Sequence, residues 1–236
     1  PYEYLDAGDD YEKFETQSTP HYFDEPYEIP LEEEEQARVG RLSTTETIVS
    51  MHEHGFYFPK DAEDVEAYCR QGRSFTAYDA LAESNLDAVF DWHLDGVLRA
   101  HSQNGWKFSE VVHDLGMRAA DIAKQEFVIR AQSVADIQRA HKEGKVAIVP
   151  SIEGCMMIEN ELDRLDVLYG LGVRALGITY SESNALGTGL NDEDSDGGLT
   201  QFGEKAVERM NKLGILIDPS HASRQTTLDT CNVSDD

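Results

Sequence analysis

Four side chains that ligate metals well stand at the ends of apolar runs. They are His52 and His54 in Met51-His-Glu-His-Gly55, Glu153 in Ser151-Ile-Glu-Gly154, and His221 in Asp218-Pro-Ser-His221. Imidazole nitrogens and carboxylate oxygens suit Zn²⁺ and similar ions. Residues i and i+2 of a strand share one face, so both imidazoles of an HxH pair can reach one ion. A carboxylate shared by two ions holds them about 3.5–4 Å apart, an arrangement that activates a bridging water. Each motif alone also has a plainer reading. HxH pairs occur as surface or core histidines, and Glu153 reads equally as an acidic residue capping the next helix. His221 reads equally as a neighbour of a helix N-cap. The conjunction at three separate strand ends is what favours metal.

The elements that must position these residues follow from the pattern. Gly144 ends a charged helix and opens a short run, Val146-Ala-Ile-Val149, rich in β-branched residues, which reads as a buried strand leading to Glu153. Chemistry in α/β folds sits just past such carboxyl ends. Further strands are expected at 47–52, 86–90, 173–179 and 215–218. Helices are expected at 61–71, 104–124, 134–143, 160–171 and 200–213, with one more from Ala222. Ser133-Val-Ala-Asp136 is a capping box for the third of these, and Gly172 and Gly214 stop two others. Residues 184–198, rich in Gly and Asp, read as an active-site loop. The alternation predicts an α/β fold of the (β/α)8 TIM-barrel type, incomplete here, with about the first five β/α units. Residues 1–40 stand apart, with many acids, Tyr and Pro and no sustained period. They read as an acidic extended arm, with 41–236 as the N-terminal portion of the barrel. The arm's aromatic residues are expected to lie along the body or a neighbouring subunit, so a homo-oligomer is among the expected states.

Composition narrows the partners. The 236 residues are 40% hydrophobic, enough for a sizeable core, and the net charge is −26. That charge repels nucleic-acid phosphates and anionic membrane surfaces, so neither is expected as a partner. No 18-residue apolar run and no signal-peptide pattern occur. Cys69, Cys155 and Cys231 are odd in number, far apart and without CxxC, so they read as reduced thiols of a cytoplasmic protein. The charge also points to a halophilic source, because at molar salt the Debye length falls to about 3 Å and self-repulsion is screened. An ordinary acidic cytosolic protein is the plainer alternative.

Larger blocks carry more information than any single pair. Ile152-Glu-Gly154 is followed by Leu162, Leu165 and Leu168-Tyr169, then by Leu171-Gly-Val-Arg174. Next come Gly198-Leu-Thr-x-Phe-Gly203, Met210-Asn-x-Leu-Gly214 and Ile217-Asp-x-Ser-His221. In order and spacing these blocks resemble the membrane (renal-type) dipeptidase family of zinc peptidases, a branch of the amidohydrolase-like (β/α)8 barrels. The resemblance runs from roughly Ile48 to Cys231. It implies a binuclear zinc centre, two ions per complete site, held by His52, His54, Glu153 and His221. Glu153 would bridge the metals at the catalytic centre. The sequence departs from the family at His54, where Asp is usual, and at Cys155-Met156, where Gly-His is usual. It departs again at Tyr180, where a substrate-binding His is usual. The family's further metal His at the sixth strand and Asp at the eighth do not occur within the 236 residues.

The expected function is therefore hydrolysis of a dipeptide or related amide bond by a metal-bound hydroxide, with Tyr180, Asn184 and His93 facing substrate. One alternative is an amidohydrolase reaction on a non-peptide amide, lactone or carboxylate. Another is a non-catalytic, ligand-binding barrel that has lost its metals. His93-x-Asp95 has the family's usual HxD form but follows the second expected strand, so His52/His54 is preferred as the metal pair. Cys155 lacks an adjacent His base and reads as packing. Trp92 and Trp106 read as core or pocket wall, and His101, His113 and His141 as surface or helix-packing residues.

Overall fold

A computed structural model of the chain describes residues 1–17, 29–71, 73–94 and 106–235. In chain order the elements are α1 (Glu33–Thr45), β1 (Val49–Glu53), β2 (Phe56–Tyr57), α2 (Val65–Gln71), β3 (Phe75–Thr76), α3 (Tyr78–Glu83) and β4 (Ala88–Leu94). They continue with α4 (Phe108–Ile122), β5 (Val128–Arg130), α5 (Val134–Glu143), β6 (Val146–Glu153), α6 (Asp163–Gly170) and β7 (Ala175–Gly177). The last are α7 (Gln201–Leu213), β8 (Leu216–Asp218) and α8 (Arg224–Val233). Helix ends follow local chemistry. Ser133, Thr200 and Ser223 each accept a hydrogen bond from the backbone N–H three residues on, and Gly144 and Gly214 close α5 and α7 in the left-handed conformation.

The main sheet is parallel, in the order β1-β4-β6-β7-β8, with β5 also paired to β6. This is the α/β architecture of an incomplete barrel. All eight residues of β6 are buried. Strand β4 runs along one edge of β6, from Ala88 opposite Ala147 to Leu94 opposite Glu153. The other edge is shared, by β5 opposite Val146–Ile148 and by β7 opposite Ser151 and Ile152. Pro150, which has no N–H to give, falls where β5 has ended and β7 has not begun, and its carbonyl accepts from Arg174 N at 3.0 Å. The largest core lies between the sheet and its helices. Ile152, Leu176 and Ile178 meet Val111 and Leu115 of α4, Leu165 and Leu168 of α6, and Val207 and Met210 of α7. Burying each such side chain contributes about 1.5–3 kcal/mol.

The other face of α4 holds a buried polar network. The Arg118 guanidinium donates to both oxygens of Asp91, at 2.7 and 2.5 Å, and to Ser74 Oγ at 2.7 Å. Burial works against the Arg118 charge, but the Asp91 carboxylate outweighs it and the guanidinium pKa rises. Asp121 accepts from Tyr2 N and from Tyr78 OH, each at 2.8 Å. Burial, and then the Asp121 charge, raises the pKa of both phenols.

Several elements differ from the sequence reading. Strand β5 was not anticipated; three residues are too few to display alternation. The helix expected over 61–71 begins as a 3₁₀ turn at Ala62–Asp64. Hairpin β2/β3 and helix α3 fill the segment before β4. Helix α1 stands where an extended arm was expected to reach residue 40. Its first turn is acidic, Glu32 and Glu35 form a reciprocal cap, and none of its residues is buried. The first residues are packed rather than extended, with Tyr2 and Phe14 buried against Tyr68 and Phe75. Burial pushes the Tyr68 phenol up to about 12. His21, Tyr22, Tyr27, Asp95, His101 and the start of the helix expected from 104 lie outside the described residues. Among the described residues, no helix is long and apolar enough to cross a membrane.

Candidate metal centre

Strand β1 pairs regularly with β4 at Val49/Ala88 and Ser50/Val89, then shifts, so that Glu53 faces Asp91. Two residues of β1, Met51 and His52, therefore stand against one of β4. This is a bulge, a device that re-aims side chains beside active sites. Both histidines turn to the face of β4 that carries Trp92. The His52 ring stacks on the Trp92 indole, with centroids 5.2 Å apart and planes at 14°. His54 Nδ1 lies 3.0 Å from the Trp92 carbonyl. A carbonyl only accepts, so Nδ1 carries the proton and the lone pair of a neutral His54 sits on Nε2, facing the cluster.

Glu153 ends β6 in register with Leu94 and is 4% exposed. Its Oε1 is 3.1 Å from His52 Nε2 and 3.6 Å from His221 Nε2, and its Oε2 is 3.8 Å from His54 Nε2. The two imidazole Nε2 atoms of His52 and His54 are 3.1 Å apart. Ligands of a tetrahedral zinc at about 2.0–2.1 Å stand about 3.4 Å from one another, so these separations fit shared cations. His52, His54 and Glu153 offer ligand atoms that all lie within 4.8 Å of one another. A second observation agrees: Glu153 Oε2 is buried without a hydrogen-bond partner. A bare carboxylate oxygen away from water is costly, and a bound cation would relieve that cost.

His221 follows β8 in a tight turn. Asp218 Oδ1 accepts from Ser220 N at 2.9 Å, and the His221 carbonyl accepts from Leu190 N at 2.9 Å. The His221 backbone is left-handed, with φ 63°. A non-glycine residue there carries roughly 1–3 kcal/mol of strain, which the surrounding bonds must outweigh. The Tyr180 ring stacks on His221 at 4.4 Å.

The gap between β6 and β7 is set by Gly177. A Cβ built there would lie 2.6 Å from Gly154 N, just past Glu153. Gly177→Ala is therefore expected to destabilise the fold by roughly 1–3 kcal/mol and to displace Glu153, read as a lowered thermal midpoint together with weakened Zn²⁺ binding.

The membrane dipeptidase (peptidase family M19) profile matches residues 97–236, more than half of the chain. The chain belongs to this family. Two curated relatives are also similar. A protein of Acinetobacter calcoaceticus named for its place in the PQQ-III 3′ region is 33% identical over 106 residues, covering 43% of this chain and 34% of that protein. Dipeptidase aclJ of Aspergillus oryzae is 32% identical over 112 residues, covering 46% of this chain and 26% of that protein. Among solved structures, an amidohydrolase from Pseudomonas aeruginosa aligns with a TM-score of 0.62 at 22% identity, over 83% of this chain and 52% of that one. This likeness supports the barrel-type fold. The matches thus span about half or less of each relative's length. His52 and His54 lie upstream of the segment matched by the membrane dipeptidase profile.

Of the residues singled out in the sequence, this member of the membrane dipeptidase family brings His52, His54, Glu153 and His221 together, with Tyr180 against His221. It does not bring His93 to them. His93 is in register with Ile152, one residue out of phase with Glu153, so it faces the helix layer. There its Nδ1 meets Asp114 Oδ2 at 2.7 Å. The expected pocket-lining role for His93 is corrected accordingly. The Asn184 amide is also committed elsewhere: Nδ2 donates to the Ile178 carbonyl at 2.8 Å and Oδ1 accepts from Leu186 N at 2.7 Å. It braces its own loop. His141 bonds Asp87, and Cys155 is fully buried. Trp92, read only as core or wall, touches both histidines; the signal for it was its alternation with Asp91 and His93.

The loop before α7 is tied down by Asp196. Its Oδ1 accepts from Ser223 Oγ at 2.5 Å and Gly198 N at 3.0 Å, and its Oδ2 accepts from Gln225 N at 2.8 Å. The Ser223 hydroxyl foremost, with those N–H groups, holds the carboxyl below the usual value of 3.8. A depressed folded-state pKa gives stability that is present above 3.8 and lost as the pH falls through the folded value. Acid titration followed by NMR at the Gln225 amide should show that step, and Asp196→Asn should remove it.

Proposed function

We propose that the protein is a metal-dependent hydrolase that cleaves a dipeptide or a related amide bond, with zinc held by His52, His54, Glu153 and His221. The observation that carries this reading is the buried Glu153 carboxylate, one oxygen of which lacks a hydrogen-bond partner, approached by three imidazole nitrogens from the ends of β1 and β8. The membership of the membrane dipeptidase family and the name of the Aspergillus relative support the peptide substrate.

A divalent zinc in such a site lowers the pKa of a coordinated water to about 7 and polarises a carbonyl oxygen. The rest falls to the chain. Glu153, between the histidines, would supply the negative charge that offsets bound cations. The Trp92 carbonyl holds the His54 tautomer that presents Nε2. Tyr180, whose ring stacks on His221 beside the cluster, would face the substrate.

Metal analysis of the purified protein with dipeptide assays tests the reading. About two zinc ions per chain with dipeptide hydrolysis is the expected result. Bound metal with turnover only of non-peptide amides or lactones, the reaction favoured by Tyr180 and Cys155-Met156, redirects the substrate. No metal above background overturns the proposal.

A further inference from the structure

We propose that Trp92 is the positioning residue of the histidine pair, setting the geometry of His52 and His54 through three separate contacts. The inference rests on the metal reading above. The indole face stacks on His52, the main-chain carbonyl accepts from His54 Nδ1, and Nε1–H donates to the Met51 carbonyl at 2.7 Å. The third contact explains why one is needed. Among the described strands β1 lies at the edge of the sheet, with β4 as its one neighbour, and its ladder breaks at the bulge of Met51 and His52. A bulge leaves its extra residue out of the ladder. The Met51 carbonyl meets the Trp92 indole instead, so a side chain closes the gap in the main-chain pairing.

Trp92 is 3% exposed, and its register with Ser151 puts it on the same face as Glu153. The His52 side chain is 42% exposed, so few packing contacts restrict its rotamers. Ligands left free to rotate must be ordered when the ion binds, and partners that hold them beforehand commonly contribute 10- to 100-fold in metal affinity, an order-of-magnitude range. The same device recurs across the cluster, where the Tyr180 ring backs His221. An aromatic ring thus supports a histidine on either side of Glu153.

The test compares wild type, Trp92→Leu, Trp92→Phe and Leu168→Ala, the last a core truncation on α6. Zn²⁺ dissociation constants come from competition with a chromophoric chelator. Trp92→Leu should bind Zn²⁺ about ten-fold more weakly or worse, Trp92→Phe should lose less, and Leu168→Ala should lower the thermal midpoint while binding as wild type does. Trp92→Leu binding as tightly as Leu168→Ala overturns the proposal. If Trp92→Leu does not fold, Trp92→Phe decides, and unchanged affinity there overturns it. The signature of positioning is read without metal: the His52 Hε1 resonance of the metal-free protein should be shifted upfield by the indole ring current and return in Trp92→Leu. Should wild type take up no Zn²⁺, the proposed function fails, and this resonance alone decides the role of Trp92. Shifted in wild type, it supports the role; unshifted, it overturns it.

Discussion

Glu153→Gln is expected to prevent Zn²⁺ binding at the cluster and to abolish the proposed hydrolysis, while leaving the metal-free fold at least as stable as wild type. The two effects have one cause. Glu153 is a buried carboxylate whose Oε2 lacks a hydrogen-bond partner. Without a cation, that charge is a burden of order 1–3 kcal/mol, which a neutral amide of the same shape relieves. With a cation, the carboxylate supplies the countercharge, and an amide does not. Ligand linkage makes the contrast measurable, because zinc at 100-fold its dissociation constant stabilises the folded state by about 2.7 kcal/mol. Thermal melts of wild type should therefore move upward on adding Zn²⁺, and those of Glu153→Gln should not. In chelator the variant should melt at or above wild type. Full activity in Glu153→Gln would refute the bridging role.

Arg118→Met is expected to cost about 3–5 kcal/mol, because it leaves the buried Asp91 carboxylate without its bidentate partner, with only His93 Nε2, 3.8 Å away, beside it. Both side chains of the pair are almost fully buried, at 7% and 6% exposure, and Arg118 also bonds Ser74. The charge itself is not what the fold needs. Asp91→Asn combined with Arg118→Met should recover much of the loss, since replacing both members of a buried pair removes the uncompensated charge. A double-mutant cycle by urea denaturation reads this as a coupling energy of the same sign. Equal losses in the single and double variants would show that Arg118 acts through packing alone. The network also holds β4 from its outer face, one residue from Trp92, so Zn²⁺ affinity in Arg118→Met should fall along with stability.

Much of the framework was legible because its signals are local. Strand β6 stood out as a short β-branched run after a glycine-closed helix, α5 and α7 carried their own caps, and ligand-type residues marked the ends of three strands. The failures are equally physical. Strand β5 has three residues, fewer than any periodicity needs. Helix α1 buries nothing, so no apolar stripe announced it. His93 was misplaced because the strand carrying it was expected to end at Phe90. It continues to Leu94, and alternation then sends Asp91 and His93 to the helices and Trp92 to the cluster. Asn184 was misjudged because nothing in a loop sequence says that a side chain will bind its own backbone. The bulge in β1 is a register property of two strands, which neither strand reveals alone.

The shared edge of β6 bears on how the cluster comes apart. Glu153 rides on a strand paired with β4 from Ala147 to Glu153 and in relay along its other edge, whereas His52 and His54 stand on and just past β1, which among the described strands has one neighbour and an interrupted ladder. Amide exchange in such a sheet is graded, with central strands opening only in global unfolding and edges opening at far lower cost. The Glu153 amide is therefore expected to exchange slowly and those of the histidine pair faster. A bound ion would leave by excursions of β1, with Glu153 still in place to take it back.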